Sequence, residues 1–400
     1  MICAALLNAG GSISARDEAK VIIINTCTVT AEAEAKTRKA IRSALKAPLA
    51  PWVIATGCAV SIDEIAYKQL GERVIAEPDR QKAFNKALEL LGLEAHSVTL
   101  GGPNARYGEF FNTRRGVKIQ DGCDKACSYC IVPAARGKAR SIDSQDLIEQ
   151  VKDAESHGIR EVVLTGINIG AYLSDGADLA ELIDMMLSIT TELRLRLSSL
   201  EPQYVSDKLL TLMAQSQGRL CAHLHLPLQS GCDKTLQDMR RLYDLAYYAD
   251  CVKRARDLMP QLALSTDVIV GFPGEQDEDF EESYTFCERM GFSRMHVFRY
   301  SRRPGTLSAQ RPDQVLPKTS SMRSVRMREL AHELLKRDLA SRLGTVEAVL
   351  VERQGQGRSE SYHRVLLPDG IKTGSLVPMK FEALSDTLLS GSLLHFGDVL

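Results

Sequence analysis

Between residues 117 and 299 six short strand-like runs are separated by stretches of helical length. The runs are 117–120, 161–165, 193–198, 222–226, 262–270 and 294–299. The stretches between them include 144–157, 178–190, 206–215, 245–258 and 277–290. A strand followed each time by a helix cannot pair through tight hairpins. It needs crossover connections, and therefore a parallel sheet covered by helices. Six such units predict a partial parallel barrel, about two strands short of a closed eight-stranded one. Ligand-binding side chains in such folds sit at the C-terminal ends of the strands.

The flanking segments differ in pattern. Before residue 113, strand runs at 21–25, 52–56 and 74–76 alternate with helical stretches at 31–45, 62–70 and 80–91, which predicts an open parallel α/β domain. Gly101-Gly102-Pro103-Asn104 marks a linker. After a helix at 325–342 closed by Gly344, period-two runs at 346–352, 361–367 and 376–381 and one near Leu394 are separated by turns such as Gly355-Gln356-Gly357 and Pro368-Asp369-Gly370. They predict a small antiparallel barrel. The expected fold class is α/β throughout, with domains at 1–112, 113–337 and 338–400.

An apolar fraction of 44% and a charged fraction of 25% exclude a disordered chain. Fifty basic against 51 acidic residues exclude a wholesale basic coat for nucleic acid but leave room for a local patch. With no apolar run of membrane-spanning length and no basic-apolar leader pattern, the chain is expected to be cytoplasmic, with no membrane partner. Ten cysteines in a reducing compartment read first as metal ligands or catalytic groups.

Cys123, Cys127 and Cys130 carry the sharpest signal, a C-x3-C-x2-C spacing just past the run 117–120. Three thiolates on one loop suit three corners of a 4Fe-4S cube and leave the fourth iron open for a small molecule. A zinc site or three core cysteines is the alternative, although a structural zinc would want a fourth ligand that this loop lacks. Cys27 and Cys58 each follow a strand run directly, in Asn25-Thr26-Cys27 and Thr56-Gly57-Cys58. Strand ends of one sheet line one crevice, so the two thiols either converge there or are inert core residues. Cys3 lies in a helical context, and Cys221, Cys232, Cys251 and Cys287 read as core packing. His223 and His225 share a strand face, at a barrel mouth or in a packed polar layer.

Small and polar residues end the barrel strands: Thr165, Gly166 and Asn168, then Ser199 and Glu201, then Gln229, then Gly271. Hydroxyls, amides and glycines at such ends suit a nucleoside-like ligand, and equally suit ordinary turns. Between 301 and 350 ten basic residues stand against five acidic ones. Arg326 lies in this basic helix, Arg136, Lys138 and Arg140 lie after the cysteine loop, and Lys372 lies in the last segment; phosphate contacts and a solvated helix face are the competing readings.

With these residues in place the chain resembles the radical S-adenosylmethionine (SAM) methylthiotransferases over nearly its full length. The resemblance rests on Asn25-Thr26-Cys27-Thr28-Val29-Thr30, on Thr56-Gly57-Cys58, on Gln120 through Arg140, on the strand-end stretches, and on His296-Val297-Phe298-Arg299-Tyr300-Ser301 with Pro304-Gly305-Thr306. It implies an N-terminal methylthiotransferase domain, a radical SAM partial barrel and a C-terminal TRAM domain of OB-like type. It implies that Cys123, Cys127 and Cys130 hold a 4Fe-4S cluster whose open iron binds SAM, with Tyr129 near the adenine. Thr165, Gly166, Asn168, Ser199, Glu201, Gln229 and Gly271 would complete the cofactor site. Reduction of SAM would yield a 5′-deoxyadenosyl radical that activates the substrate carbon, and an auxiliary 4Fe-4S cluster would supply the methylthio group.

The auxiliary cluster of the family takes three cysteines, and the first belongs to a Gly-Cys-(Lys/Arg)-x-Asn motif on a strand preceding Cys27. This chain carries Cys27 and Cys58 without that motif. Either the start is truncated, with the first strand missing, or the second cluster has two ligands. The stretch from Arg196 to Pro202 and the His-Val-Phe-x-Tyr-Ser run resemble the branch acting on N6-threonylcarbamoyladenosine at tRNA position 37. The implied partners are a tRNA anticodon stem-loop, an electron donor such as a flavodoxin or ferredoxin, and a sulfur source. The alternatives are an RNA-binding protein with a structural metal, a relative that cleaves SAM without sulfur transfer, and methylthiolation of N6-isopentenyladenosine.

Overall fold

The computed structural model describes residues 2–94 and 113–394, and the linker expected at 101–104 lies outside them. The chain divides into two compact units. The described parts of the first are 2–94, 122–138 and 301–309; those of the second are 113–121, 139–300 and 310–394.

In the first unit β1 (Val21–Thr26), β2 (Trp52–Gly57) and β3 (Val74–Ala76) form a parallel sheet in that order. Val21 stands opposite Trp52 and Val53 opposite Val74. The central strand is buried on both faces after Trp52, which is why its sequence is a continuous apolar run rather than an alternation. On one face Ile41 from α2 (Ala31–Ala44) packs with Val53, Ala55, Val60 and Tyr67. On the other, Ile54 meets Ala83 and Ala87 of α5 (Arg80–Leu91) and Ile2 and Leu6 of α1 (Ile2–Asn8). Thr30 and Asp79 cap α2 and α5, each side chain accepting from the backbone N–H three residues on. A single helix at 62–70 is expected from the sequence. The structure instead has α3 (Cys58–Ile62) and α4 (Glu64–Lys68), broken at Asp63. The Asp63 carboxylate accepts from Ala66 N at 3.0 Å and starts a second helix where the pattern alone would continue the first. The segment 122–138 contributes α6 (Val132–Arg136) to this unit.

All six strands expected in the second unit are present: β4 (Arg114–Lys118), β7 (Glu161–Thr165), β10 (Arg194–Leu197), β11 (His223–His225), β12 (Ala263–Val270) and β13 (Arg294–Arg299). They form two parallel sheets, β10-β7-β4 and β11-β12-β13, bridged by Leu195–Leu220 and Ser199–His225. Short antiparallel ribbons join β5 (Gln120–Asp121) to β6 (Arg140–Ser141) and β8 (Leu173–Ser174) to β9 (Ala177–Asp178). The covering helices are α7 (Ser144–Ser156), α8 (Leu179–Ser188), α9 (Asp207–Gln215), α10 (Asp233–Asp238), α11 (Leu245–Leu258), α12 (Asp277–Met290) and α13 (Pro317–Ser341). One contiguous core runs beneath them, from Val117 and Leu164 to Leu264, Phe280 and Phe292.

The last five strands close into a barrel in the order β14-β15-β16-β18-β17: β14 (Val346–Arg353), β15 (Gln356–Ser359), β16 (Arg364–Leu366), β17 (Leu376–Ser385) and β18 (Leu388–Leu393). Val349, Val365, Met379, Phe381 and Leu389 fill it, with Leu339 of α13 as a plug. The sequence reads as a turn at Gly355-Gln356-Gly357, where the structure has the start of β15. The buried positions of β15 are Gly357 and Ser359, so it lacks the apolar alternation that betrays a strand.

Two arginines of β10 dock this barrel. Arg194 donates to the carbonyl oxygens of Ala348 and Arg358, at 2.8 and 3.3 Å. Arg196 donates to those of Glu360 and Ser359, at 2.8 and 3.2 Å. Both arginines also bind Glu161, which is 1% exposed. Burial pushes the Glu161 carboxyl up, but Arg194, Arg196 and Arg114 outweigh it and hold the group at about 2.

Candidate active site

The cysteine loop leaves β5 at Gly122, where φ is +73°. A Cβ there would lie 1.9 Å from the Lys138 carbonyl oxygen, so only glycine passes. Cys123 N donates to the Gly137 carbonyl at 3.1 Å, tying the two ends of the loop together. Cys130 N donates to the Cys127 carbonyl at 3.2 Å and closes a tight turn between two of the cysteines. Ser308 N donates to the Ser128 carbonyl at 2.9 Å, so the segment 301–309 holds that turn from outside. Cys123, Cys127, Tyr129 and Cys130 are all half-buried, neither lost in a core nor fully in solvent.

Cys27 and Cys58 belong to the same compact unit as this loop. Cys27 follows β1, and the next residue, Thr28, is buried and accepts from Arg303 Nη2 at 2.8 Å. The same guanidinium binds Glu34 at 2.5 Å, while Ala31 N donates to Ser301 Oγ at 2.8 Å. Burial raises the Glu34 carboxyl, but Arg303 and Arg38 outweigh it and lower it. Cys58 opens α3 directly after Gly57, whose φ of +107° and 2.7 Å clearance to the Thr26 carbonyl oxygen exclude a side chain. Arg136 Nε lies 3.0 Å from the Cys58 sulfur, and α6 packs on α3. The sequence left the two strand-end thiols either converging in one crevice or inert in the core; the structure places both in one unit and sets Cys58 against α6. Nothing in the sequence signalled that Arg136, expected to meet substrate, would donate to a cysteine.

Among the described residues no three Cys, His, Asp or Glu side chains converge on a point that could hold a single metal ion. A cube differs from an ion, because each thiolate binds its own iron and the sulfurs stay apart. The donor set suits such a group: three soft thiol ligands on one loop, shaped by Gly122 and the Cys127–Cys130 turn.

The remaining cysteines lie elsewhere. Cys3 lines an apolar cleft with Leu6, Val21 and Leu91, at the end of β1 opposite to Cys27. Cys221, Cys232, Cys251 and Cys287 are buried. Burial pushes the first three thiols up to about 11 and Cys287 higher still, which keeps them protonated and inert.

In the second unit the strand-end residues are held by specific bonds. Gln120 Oε1 accepts from the backbone N–H of Ile167 and Asn168, at 3.1 and 2.8 Å, and so shapes the turn after Thr165 and Gly166. Asn168 is buried and its Oδ1 has no hydrogen-bond partner among the described residues. Ser199 bridges to His225. Glu201 binds Arg241 at 3.0 Å, and Arg241 lies over the Tyr243 ring. Gln229 takes φ +69°, strained for a residue with a side chain, and is gripped there by Asp267 O and Ile269 N, each at 2.8 Å. Gly271 N donates to Glu275 Oε1, which also receives Arg323 at 2.6 Å.

The sequence missed a trio in this unit. The Asp267 carboxylate lies 3.4 Å from His225 and 3.3 Å from His296. Burial raises it, but hydrogen bonds from the two imidazoles outweigh that and draw it down to about 2. The register of β12 on β13 places Asp267 beside His296, a pairing that spacing within either strand could not reveal. His223 instead sits in a buried layer, 3.0 Å from Ser265 Oγ, and burial keeps its ring neutral. Of the basic residues expected to meet substrate, Lys138 and Lys372 are exposed, Arg140 binds Asp121 at 2.9 Å, and Arg326 binds Glu281 at 2.5 Å.

Comparison with known proteins gives this geometry a family. Residues 117–287 match the radical SAM superfamily, and residues 1–76 match the uncharacterized protein family UPF0004. The threonylcarbamoyladenosine tRNA methylthiotransferase MtaB of Chlamydia pneumoniae is 32% identical over 383 residues, covering 94% of this chain and 89% of that protein. The chain belongs to the radical SAM methylthiotransferases. A second methylthiotransferase, the tRNA-2-methylthio-N(6)-dimethylallyladenosine synthase of Endomicrobium trichonymphae, is 30% identical and covers 85% of this chain and 81% of its own length. Among solved structures, the radical SAM methyltransferase TsrM of Kitasatospora setae superposes with a TM-score of 0.54 at 13% identity, covering 74% of this chain and 67% of that one. That likeness supports the fold. As a radical SAM tRNA methylthiotransferase, the chain belongs to an enzyme class that implies a 4Fe-4S cluster and SAM.

Proposed function

We propose that this enzyme adds a methylthio group to C2 of N6-threonylcarbamoyladenosine at position 37 of tRNA. The observation that carries the reading is the match to the MtaB protein across nearly the full length of both chains. The dimethylallyladenosine synthase match keeps N6-isopentenyladenosine as the second reading. Cys123, Cys127 and Cys130 hold the SAM-binding cluster, and Cys27 and Cys58 are ligands of a second one. When bound, these groups supply one-electron reduction and sulfur chemistry that no side chain can. The chain itself positions them. Gly122 admits the tight loop exit, and the Ser128–Ser308 bond fixes the turn that carries Cys127 and Cys130. Gln120 orders the Ile167–Asn168 backbone for the cofactor, with Ser199, Glu201, Gln229 and Gly271 contributing at the strand ends of the same unit. The domain division at 112 and 337 belongs to this reading, as do a cytoplasmic setting, an external electron donor and a sulfur source.

The test is nucleoside mass spectrometry of tRNA from a strain lacking its own enzyme. Complementation with this chain should yield the 2-methylthio form of the threonylcarbamoyl nucleoside, and Cys127→Ser should abolish it. Appearance of the isopentenyl product instead would transfer the reading to the other base.

A further inference from the structure

The His225–Asp267–His296 trio faces a direction that strand alternation fixes. On β12, Leu264, Val268 and Val270 pack into the core beneath the helices, so Ser265 and Asp267 turn to the other face, the inside of the partial barrel. Leu224 on β11 and Met295 on β13 join the same core, which turns His225 and His296 inward. Register sets the level. Ser199, just past the last residue of β10, pairs with His225, and Gln229 N donates to Asp267 O at 2.8 Å. Asp267 and its imidazoles therefore stand at the C-terminal ends of β10 and β11, the end at which such barrels take their ligands.

The two imidazoles are unequally committed. His225 uses both nitrogens: Nδ1 lies 3.0 Å from Ser265 Oγ and Nε2 3.4 Å from Asp267 Oδ1. His296 uses one. Its Nδ1 lies 3.3 Å from the same Oδ1, its Nε2 has no hydrogen-bond partner among the described residues, and its side chain is 49% exposed. A carboxylate that receives Nδ1–H fixes the tautomer and the ring, so Nε2 is held outward as an acceptor, or as a donor once the ring is protonated. Phe298 lies two residues further along β13 on the same face, exposed, with no aromatic ring or guanidinium against it among the described residues.

A nucleoside within an RNA enters such a barrel with its ribose tied to the chain outside. The part that reaches furthest along the strands is then the substituent at N6, on the far edge of the purine. An apolar ring nearer the mouth and an oriented polar nitrogen two residues deeper match a flat base that carries a polar arm. The threonylcarbamoyl arm brings a carboxylate, a hydroxyl and ureido N–H groups, and so can satisfy Nε2 in either protonation state. An isopentenyl arm would strip water from Nε2 and return no hydrogen bond, which lowers affinity.

We propose that His296 selects the threonylcarbamoyl arm of the substrate base, with Asp267 and His225 as positioning residues behind it. This rests on the reading above that the substrate is a modified adenosine of tRNA, and names the group that tells its two candidate bases apart.

The experiment uses the full-length holoenzyme, oxidised so that nothing turns over, and three anticodon stem-loop oligonucleotides. They carry N6-threonylcarbamoyladenosine, N6-isopentenyladenosine or unmodified adenosine at position 37. Affinities are compared for the wild type, His296→Leu, His296→Gln and Asp267→Asn. The wild type should bind the threonylcarbamoyl form most tightly. His296→Leu should cut its preference over unmodified adenosine by about tenfold, and Asp267→Asn by a smaller factor. His296→Gln, which keeps an amide near the place of Nε2, should retain part of the preference. A merely structural role would weaken all three oligonucleotides together and leave the ratio, an outcome that overturns the assignment while the substrate reading stands. A wild type that prefers the isopentenyl form overturns the substrate reading and the assignment with it. SAM affinity lost in His296→Leu at an unchanged ratio gives the imidazole to the cofactor and overturns the assignment as well.

Discussion

Gly122 is the residue on which the cysteine loop turns. Its positive φ and the 1.9 Å approach of the Lys138 carbonyl leave no place for a methyl group. Gly122→Ala should cost roughly 1–3 kcal/mol in backbone strain and displace the loop that carries Cys123. The expected outcome is a folded protein with a lowered Tm and reduced iron content after anaerobic reconstitution; full iron loading at an unchanged Tm would refute it. Glu161 sets a pH dependence at the same scale. Its carboxyl lies near 2 when folded against 4.5 for the free group, so its ionised form is the one the fold favours. That stabilisation is complete above about pH 4.5 and drains away as pH falls toward 2, on the order of 3 kcal/mol in full. Hydrogen exchange measured at pH 6 and pH 3 should show protection of β7 and β10 amides falling at the lower pH, after correction for intrinsic rates. Equal protection at both would show that the carboxylate does not hold these strands.

At the scale of elements, β10 is both a barrel strand and the seat of the C-terminal barrel. Its sequence Arg-Leu-Arg-Leu is buried on both faces, with leucines in the main core and arginines toward β14 and the segment following β15. Arg196→Met removes the bonds to Ser359 O and Glu360 O and one partner of Glu161. A loss of about 3–5 kcal/mol follows from breaking a buried charge pair. Limited proteolysis should then release the residues after α13 before the partial barrel is cut, whereas the wild type should resist; identical digestion patterns would contradict the docking role. The six barrel strands were legible because short strand-like runs alternated with stretches of helical length, and the four scattered cysteines because each sat singly in a helical or strand context. β15 was not legible, because Gly357 and Ser359 fill inward positions with almost no apolar surface. The break at Asp63 was missed because one capping carboxylate overrode a helical period. The cysteine loop was legible from spacing alone. The Arg136–Cys58 bond and the His225–Asp267–His296 trio were not, since they join residues that only the fold brings together.

At the scale of the whole molecule, the cysteines of interest gather in the unit assembled from three stretches of chain. Residues 301–309 complete that unit through Ser301 to Ala31 and Arg303 to Thr28, spanning 270 and 275 positions. A nascent chain leaving the ribosome therefore exposes its first sheet long before the last piece of that unit has been made. At elongation rates of roughly 5–20 residues per second, the wait is tens of seconds. Throughout that interval Cys27, Cys58 and the looped thiols stand without the arginine clasp, open to oxidation or to scavenging of stray metal. If the proposed clusters enter a finished cradle, iron follows the emergence of residues 301–309, and a chain terminated between Cys130 and Ser301 carries the sulfurs without that cradle.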